Sequence, residues 1–160
     1  MQDLVRDGLA RASATRVLAV ASGGGHWEQM MLLRPALEKF DVTFATTDIG
    51  LGEREGLRGV LVLQDTNRDR PLDGLRCVAG AIRAVAAVRP QVVVTTGALP
   101  GLIVLIAARV WGARTVWIDS VANSEKPSVS GRVARRFASL WLTQWEHLAH
   151  RSGEYAGNLL

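Results

Sequence analysis

An apolar run, Val17-Leu18-Ala19-Val20-Ala21, ends directly on Ser22-Gly23-Gly24-Gly25-His26. No other feature narrows the fold as much. The run does not alternate apolar with polar, so its residues are buried on both faces, as in a parallel sheet covered by helices. The glycines then permit positive φ and a close backbone approach. A helical pattern follows from Trp27 to Phe40, with Met30, Met31, Leu33, Leu37 and Phe40 recurring on the inward side. Strand, glycine turn and helix form the opening of a βαβ unit.

The alternation continues to the C-terminus. Val42–Thr46 and Val60–Leu63 read as strands, Asp73–Val88 as a helix closed by Arg89-Pro90, and Val92–Thr96 as a buried strand. Gly97 opens a second glycine turn, Pro100–Trp111 is an apolar helix stopped by Gly112, and Thr115–Ile118 is a strand. Ser130–Ser139 reads as a helix, Leu140–Thr143 as a strand, and Ser152–Leu160 as a loop leading to a short strand. The expected fold is α/β, a Rossmann-like parallel sheet with helices on both faces. A chain of 160 residues with no linker or repeat fits one such domain, over 16–160. Residues 1–15 precede it as a short amphipathic helix or a frayed tail, with Leu4, Val5, Leu9 and Ala12 near one face.

Composition removes several classes of function. The lone Cys77 allows no disulfide framework and suits a reducing cytoplasm, and the three histidines are too scattered for a metal site. His147 and His150 share a helical spacing that reads as a solvated helix end. Net charge is +4, from 19 Lys+Arg against 15 Asp+Glu, and nearly all the basic residues are arginine. Such a balance suits phosphate groups or an anionic membrane surface. No basic stripe is interleaved with aromatics, so nucleic acid is not the expected partner. Met1–Arg16 lacks the apolar core of a secretory signal. The longest apolar stretch, Ala98–Ala108, has 11 residues where a bilayer span needs about twenty, and reads as a buried helix.

The glycine loop carries the chemistry. In a parallel sheet, ligands settle beyond the carboxyl ends of the strands, where the next helix directs backbone N–H groups at them. Ser22–His26 stands there and suits an anion such as a phosphate. The dinucleotide fingerprint would need a glycine where Glu28 stands, and no Gly-Lys-Ser/Thr triplet exists for a Walker loop. Asp48 alone mimics the ribose-binding acid of that fingerprint. His26 exchanges protons near neutral pH, so it serves as general base, as phosphate donor, or simply as a cap on the helix that follows; the residues leave these roles open.

Val17–His26 (VLAVASGGGH), Val92–Pro100 (VVVTTGALP), Thr115–Ser120 (TVWIDS) and Leu140–Trp145 (LWLTQW) together resemble the acceptor-side subunit of bipartite GT-B glycosyltransferases. That family includes bacterial exopolysaccharide and capsule subunits and the anchoring subunit of the eukaryotic dolichol-linked N-acetylglucosamine transferase. The resemblance implies the N-terminal half of a GT-B enzyme split between two chains. A catalytic partner chain would hold the nucleotide-sugar donor, so this chain would carry no cofactor, and the acceptor would be a polyprenyl-diphosphate-linked saccharide. Ser22, Gly23, Gly24 and Gly25 would line one side of the acceptor diphosphate, with His26 as the catalytic residue, and Thr96 and Gly97 the other side. Asp119 and Ser120 would contact the acceptor sugar. This chain departs from the family in having a short charged Met1–Thr15 where the eukaryotic subunit has a membrane-spanning helix, and in a glycine-richer loop than the family's Ser-Ser-Gly-Gly-His form.

A lipid-linked acceptor implies peripheral docking on the cytoplasmic face of the cell membrane. Arg132, Arg135 and Arg136 beside Phe137, Leu140, Trp141 and Trp145 are the expected membrane-facing surface, with Trp27, Met30 and Met31 as a second. A core placement of Trp141 and Met31 is the alternative. Two other functions stand beside the favoured one: a stand-alone nucleotide-binding Rossmann module, and a scaffold that only recruits the partner to the membrane.

Overall fold

The computed structural model describes residues 14–65 and 71–159. The amphipathic segment expected over 1–15 therefore lies almost wholly outside the described residues. From Arg16 onward the chain runs β1 (Arg16–Ala21), α1 (Gly25–Leu37), β2 (Asp41–Thr46), α2 (Ile49–Arg54) and β3 (Leu61–Val62). It continues through α3 (Pro71–Val88), β4 (Val92–Thr95), α4 (Ala98–Val110), β5 (Arg114–Ile118) and α5 (Val129–Ala134). The last elements are β6 (Leu140–Thr143), α6 (Glu146–Ser152) and β7 (Glu154–Tyr155).

The strands form one seven-stranded sheet in the order β3-β2-β1-β4-β5-β6-β7, and every adjacent pair is parallel. The order reverses between β1 and β4, where Val17 to Val20 pair with Val92 to Thr95. In a doubly wound sheet this reversal opens a crevice above the carboxyl ends of the two strands.

The central strands are buried on both faces, which is why their sequences are continuous apolar runs. On one face Leu18 and Val20 pack with Ala81, Val85, Val104 and Ala108 of α3 and α4. On the other, Ala19 and Ala21 meet Trp27 and Met30 of α1, Phe44 of β2 and Leu51 of α2. A third cluster, Leu102, Leu105, Trp117, Ala134 and Trp141, seals the β5–β6 side under α5.

Several expectations are corrected. Trp141, expected to face a membrane, is only 7% exposed and packs in that third cluster, with its indole N–H donating to Gly131 O at 2.8 Å. As a β6 residue its orientation follows from sheet pairing, Trp117↔Trp141, and pairing turns it inward. Trp27 and Met30 are likewise fully buried rather than membrane-facing, and the Trp27 ring meets Phe44 edge-on at 6.2 Å. Phe40 lies beyond the end of α1 and is partly exposed. The helix expected over 130–139 stops at Ala134, because the chain must turn into β6. That turn is pinned where Thr115 Oγ1 donates to Phe137 O and Ser139 N donates back to Thr115 Oγ1. Helix α2 was not expected, and α6 only in the helical spacing of His147 and His150.

Candidate functional site

The loops after β1 and β4 lie side by side at the reversal of strand order. Gly24, at φ 69, is the N-cap of α1 and brings no side-chain hydrogen bond to it. Trp27 N and Glu28 N both donate to Gly24 O. The amides of Gly25 and His26 come before the first of these bonds, so they have no intrahelical acceptor and are directed toward the loop. Such a terminus, with its partial positive charge, suits an anion. Gly23 N is not part of that set, because it donates to Thr47 Oγ1 at 3.1 Å.

His26 ties the two loops together. Its Nδ1 lies 2.8 Å from Thr96 O, and Thr96 Oγ1 donates to His26 O at 2.7 Å. A carbonyl oxygen only accepts, so Nδ1 carries the proton, and the neutral ring keeps its lone pair on Nε2. That is the arrangement a general base requires: one ring nitrogen anchored by the backbone, the other available. The ring lies against Gly97, where a Cβ would come within 2.7 Å of His26 Cε1. Gly97 has φ 127, and its N–H is held by Thr95 Oγ1 at 3.2 Å. The next residue, Ala98, adopts φ 65, a conformation that costs a non-glycine residue about 1–2 kcal/mol. Strain of this kind persists where surrounding structure enforces it.

A cavity of about 690 Å³ opens beside the loop, lined by Ser22, Gly23, Thr47, Asp48, Ile49 and Val62 among others. A slightly larger one, about 770 Å³, lies at the opposite end of the sheet, around Arg16, Arg89, Trp111 and Arg114. There α3 and α4 end, presenting carbonyls rather than N–H groups. The crevice and both glycine turns are at the other end, which makes the 690 Å³ cavity the one belonging to the site.

Asp119 and Ser120 end β5 nearby, but both side chains are nearly fully buried. Asp119 Oδ1 accepts from Trp117 Nε1 at 3.1 Å and Ser128 Oγ at 2.7 Å, while Oδ2 accepts from Ser128 N at 3.0 Å. Its carboxylate thus holds the 120–128 loop and, through Ser128, the start of α5. In this arrangement neither side chain faces outward toward an acceptor sugar. Ser120 Oγ accepts from Gln29 Nε2 at 3.0 Å.

Gln29 is a residue that the sequence motifs do not single out. It is buried in α1 and hydrogen-bonds four parts of the rim. Its Nε2 donates to Gly25 O and Ser120 Oγ, and its Oε1 accepts from Val121 N at 3.1 Å and Gln144 Nε2 at 2.6 Å. Gln144 also donates to Asp119 O and accepts from Leu159 N. A polar amide amid the apolar positions of α1 was the only sequence signal.

Arg132, Arg135 and Arg136 are exposed on and just after α5, beside partly exposed Val129 and Val133. Trp145 is half-buried, with its indole N–H donating to Val121 O. His147 lies on α6 and its Nε2 donates to Ser124 O at 2.7 Å. Burial pushes the Cys77 thiol up to about 11, assisted by the charge of Asp65, so it is no nucleophile for this site. Among the described residues no helix is long and apolar enough to cross a membrane.

No sequence-family model matches the chain. The UDP-N-acetylglucosamine transferase subunit ALG14 of Eremothecium gossypii is 28% identical over 178 aligned residues, covering 91% of this chain and 80% of that protein. Among solved structures, Acinetobacter baumannii MurG matches with a TM-score of 0.72 at 14% identity, over 90% of this chain. The UDP-N-acetylglucosamine 2-epimerase of Rickettsia bellii matches with 0.71 at 10% identity, over 91%. The chain spans 45% of the length of each of these two. At such identities the two structures establish the fold. The expected Rossmann-like α/β fold of the GT-B kind is therefore borne out, and so, with the ALG14 relative, is the chain's resemblance to the acceptor-side subunits of bipartite glycosyltransferases.

Proposed function

We propose that this chain is the acceptor-binding subunit of a two-component glycosyltransferase. A partner chain binds the nucleotide-sugar, and this chain presents a polyprenyl-diphosphate-linked saccharide during polysaccharide biosynthesis. The observation that carries the reading is the pairing of the two glycine turns through His26 and Thr96 at the strand-order reversal. The N-terminal amides of α1 receive the acceptor diphosphate, together with Ser22 and the backbone around Gly24, Gly25 and Gly97. His26 Nε2 accepts the proton of the attacking hydroxyl, or donates to phosphate once the ring is protonated. Asp119 and Ser120 act on the acceptor side through the rim they brace.

The chain spans 45% of the length of MurG and forms one Rossmann-like domain; in this reading the partner supplies the other. The domain corresponds to the N-terminal half of a GT-B enzyme. The donor chemistry then rests with the partner, and the name of the ALG14 relative makes UDP-N-acetylglucosamine the first donor to try. A lipid-linked acceptor places the complex on the inner face of the cell membrane, with the exposed Arg132, Arg135 and Arg136 toward anionic headgroups.

The test is co-purification with the product of a neighbouring gene, followed by sugar transfer from labelled nucleotide-sugars to membrane extract. The pair is expected to transfer and this chain alone to be inactive. Turnover by the isolated chain would refute the split-enzyme reading.

A further inference from the structure

The buried face of α1 is otherwise made by Trp27, Met30 and Leu37, yet it includes Gln29, which is only 6% exposed. An amide there costs desolvation and rotamer freedom, which its bonds must offset. Its orientation is fixed by its neighbours. Gly25 O only accepts and Val121 N only donates, so Nε2 faces the first and Oε1 the second. With Ser120 Oγ on Nε2 and Gln144 Nε2 on Oε1, both donors and both acceptor sites of the amide are taken. Glutamate lacks the donors, methionine lacks donors and acceptors alike, and asparagine is one methylene shorter.

The bond to Gly25 O reaches the anion site in one step. Gly25 C=O and His26 N–H are the two ends of a single planar peptide, and that N–H has no intrahelical acceptor. A donor on the carbonyl at 3.1 Å fixes the plane of this peptide and polarises it, so that its N–H donates more strongly. The loop needs such a hold. A Cβ at Gly24 or Gly25 would meet nothing within 4 Å, and α1 has no side-chain cap. The loop and first turn are instead tied on three sides. Gly23 N bonds Thr47 Oγ1 after β2, His26 bonds Thr96 after β4, and Gly25 is held through Gln29 to Ser120 and Val121 after β5.

We propose, on the acceptor-binding reading above, that Gln29 is a positioning residue for the diphosphate at the α1 terminus. It orients and polarises the Gly25–His26 peptide and locks it to the turn after β5. Gln29 acts through Gly25 O and does not itself touch the diphosphate.

The probe is inorganic pyrophosphate, titrated by calorimetry and by NMR into the full chain with its partner. In the wild type the His26 amide proton and the Gln29 Nε2 protons are expected to shift together, because they sit at opposite ends of one peptide. Gln29→Met keeps the length of the side chain and removes all four bonds. It is expected to weaken pyrophosphate about fivefold or more and to shift the Gly25 carbonyl carbon, in a chain that still folds. Val85→Ala, in the core on the other face of the sheet, is a destabilised control expected to bind pyrophosphate as the wild type does. Undiminished binding by folded Gln29→Met, or an equal loss in Val85→Ala, would overturn the positioning role and leave the acceptor reading standing. Should Gln29→Met not fold, the wild-type spectra decide: a His26 amide that moves while the Gln29 protons stay still overturns the role. A wild-type pair that does not bind pyrophosphate would overturn both readings.

Discussion

Gly97 combines φ 127 with ψ −162, a region essentially reserved for glycine. The histidine that bridges the two loops packs directly against it. Gly97→Ala places a Cβ 2.7 Å from His26 Cε1 and 3.0 Å from Nδ1, so either the backbone or the ring must move. Holding alanine in that backbone conformation costs about 1–3 kcal/mol. Displacing the ring forfeits the 2.8 Å bond from His26 Nδ1 to Thr96 O, about 0.5–1.5 kcal/mol more. Together the loss is about 2–4 kcal/mol, which in a domain of this size lowers the melting temperature by about 5–15 °C. Thermal unfolding followed by circular dichroism gives the stability. Long-range ¹⁵N–¹H NMR of the imidazole gives the tautomer, expected as Nδ1–H in the parent and as a mixture in the variant. A melting temperature within about 2 °C of the parent, with the Nδ1–H tautomer intact, would refute the claim that Gly97 is required by the ring.

The remaining predictions concern single side chains. His26→Ala in the reconstituted pair should lose at least about a hundredfold in turnover if Nε2 is the base; recovery at high acceptor concentration would assign the residue to phosphate binding, and near-normal kinetics would leave it a structural tie to Thr96 O rather than a functional group. Trp141→Ala should destabilise the fold by about 3–5 kcal/mol in urea titrations while leaving liposome pelleting unchanged, whereas a pelleting defect in a stable protein would restore Trp141 to a membrane role. Asp119→Ala strands Trp117 Nε1 and Ser128 N without their acceptor and should cost about 2–4 kcal/mol; a wild-type denaturation midpoint would contradict this bracing role. For Cys77, folding raises the thiol from 9.0 to about 11. The unfolded thiol therefore ionises first as pH rises, and the stability tied to it is intact below about 9 and drains away toward 11. Cys77→Ala should flatten that alkaline slope, and alkylation of the native parent at pH 8 should be slow; rapid native labelling would contradict the burial.

Much of the architecture was legible because it is written locally. Continuous apolar runs such as Val17–Ala21 and Val92–Val94 announce strands buried on both faces, and a glycine turn between such a run and a helix marks where an anion can approach. The position of Ser22–His26, the second turn at Thr96-Gly97, and the burial of α4 all followed from these runs. Helices α2 and α6 did not. Gly50 and Gly52 argue against a helix by about 1 kcal/mol each relative to alanine, yet a Cβ at Gly52 would meet Val60 Cγ2 at 2.8 Å. The close approach of the segment before β3 requires the residue that local propensity disfavours.

Side-chain roles depended on neighbours far along the chain, which no local pattern encodes. Trp141 beside three arginines has the composition of a membrane anchor, but β6 pairs with β5 in a register that turns the indole into the cluster with Trp117. Asp119 at a strand end looks like a ligand-binding acid until Ser128 occupies both its oxygens. Gln29 and Gln144 are 115 positions apart and meet at 2.6 Å only because α1 and the end of β6 converge on the same rim. The order of the residues determined which segments become strands, turns and helices, since backbone preference and apolar period act over a few residues. Which face each side chain turns to, and what it then touches, was decided by the order and register of seven strands, because those set the long-range contacts.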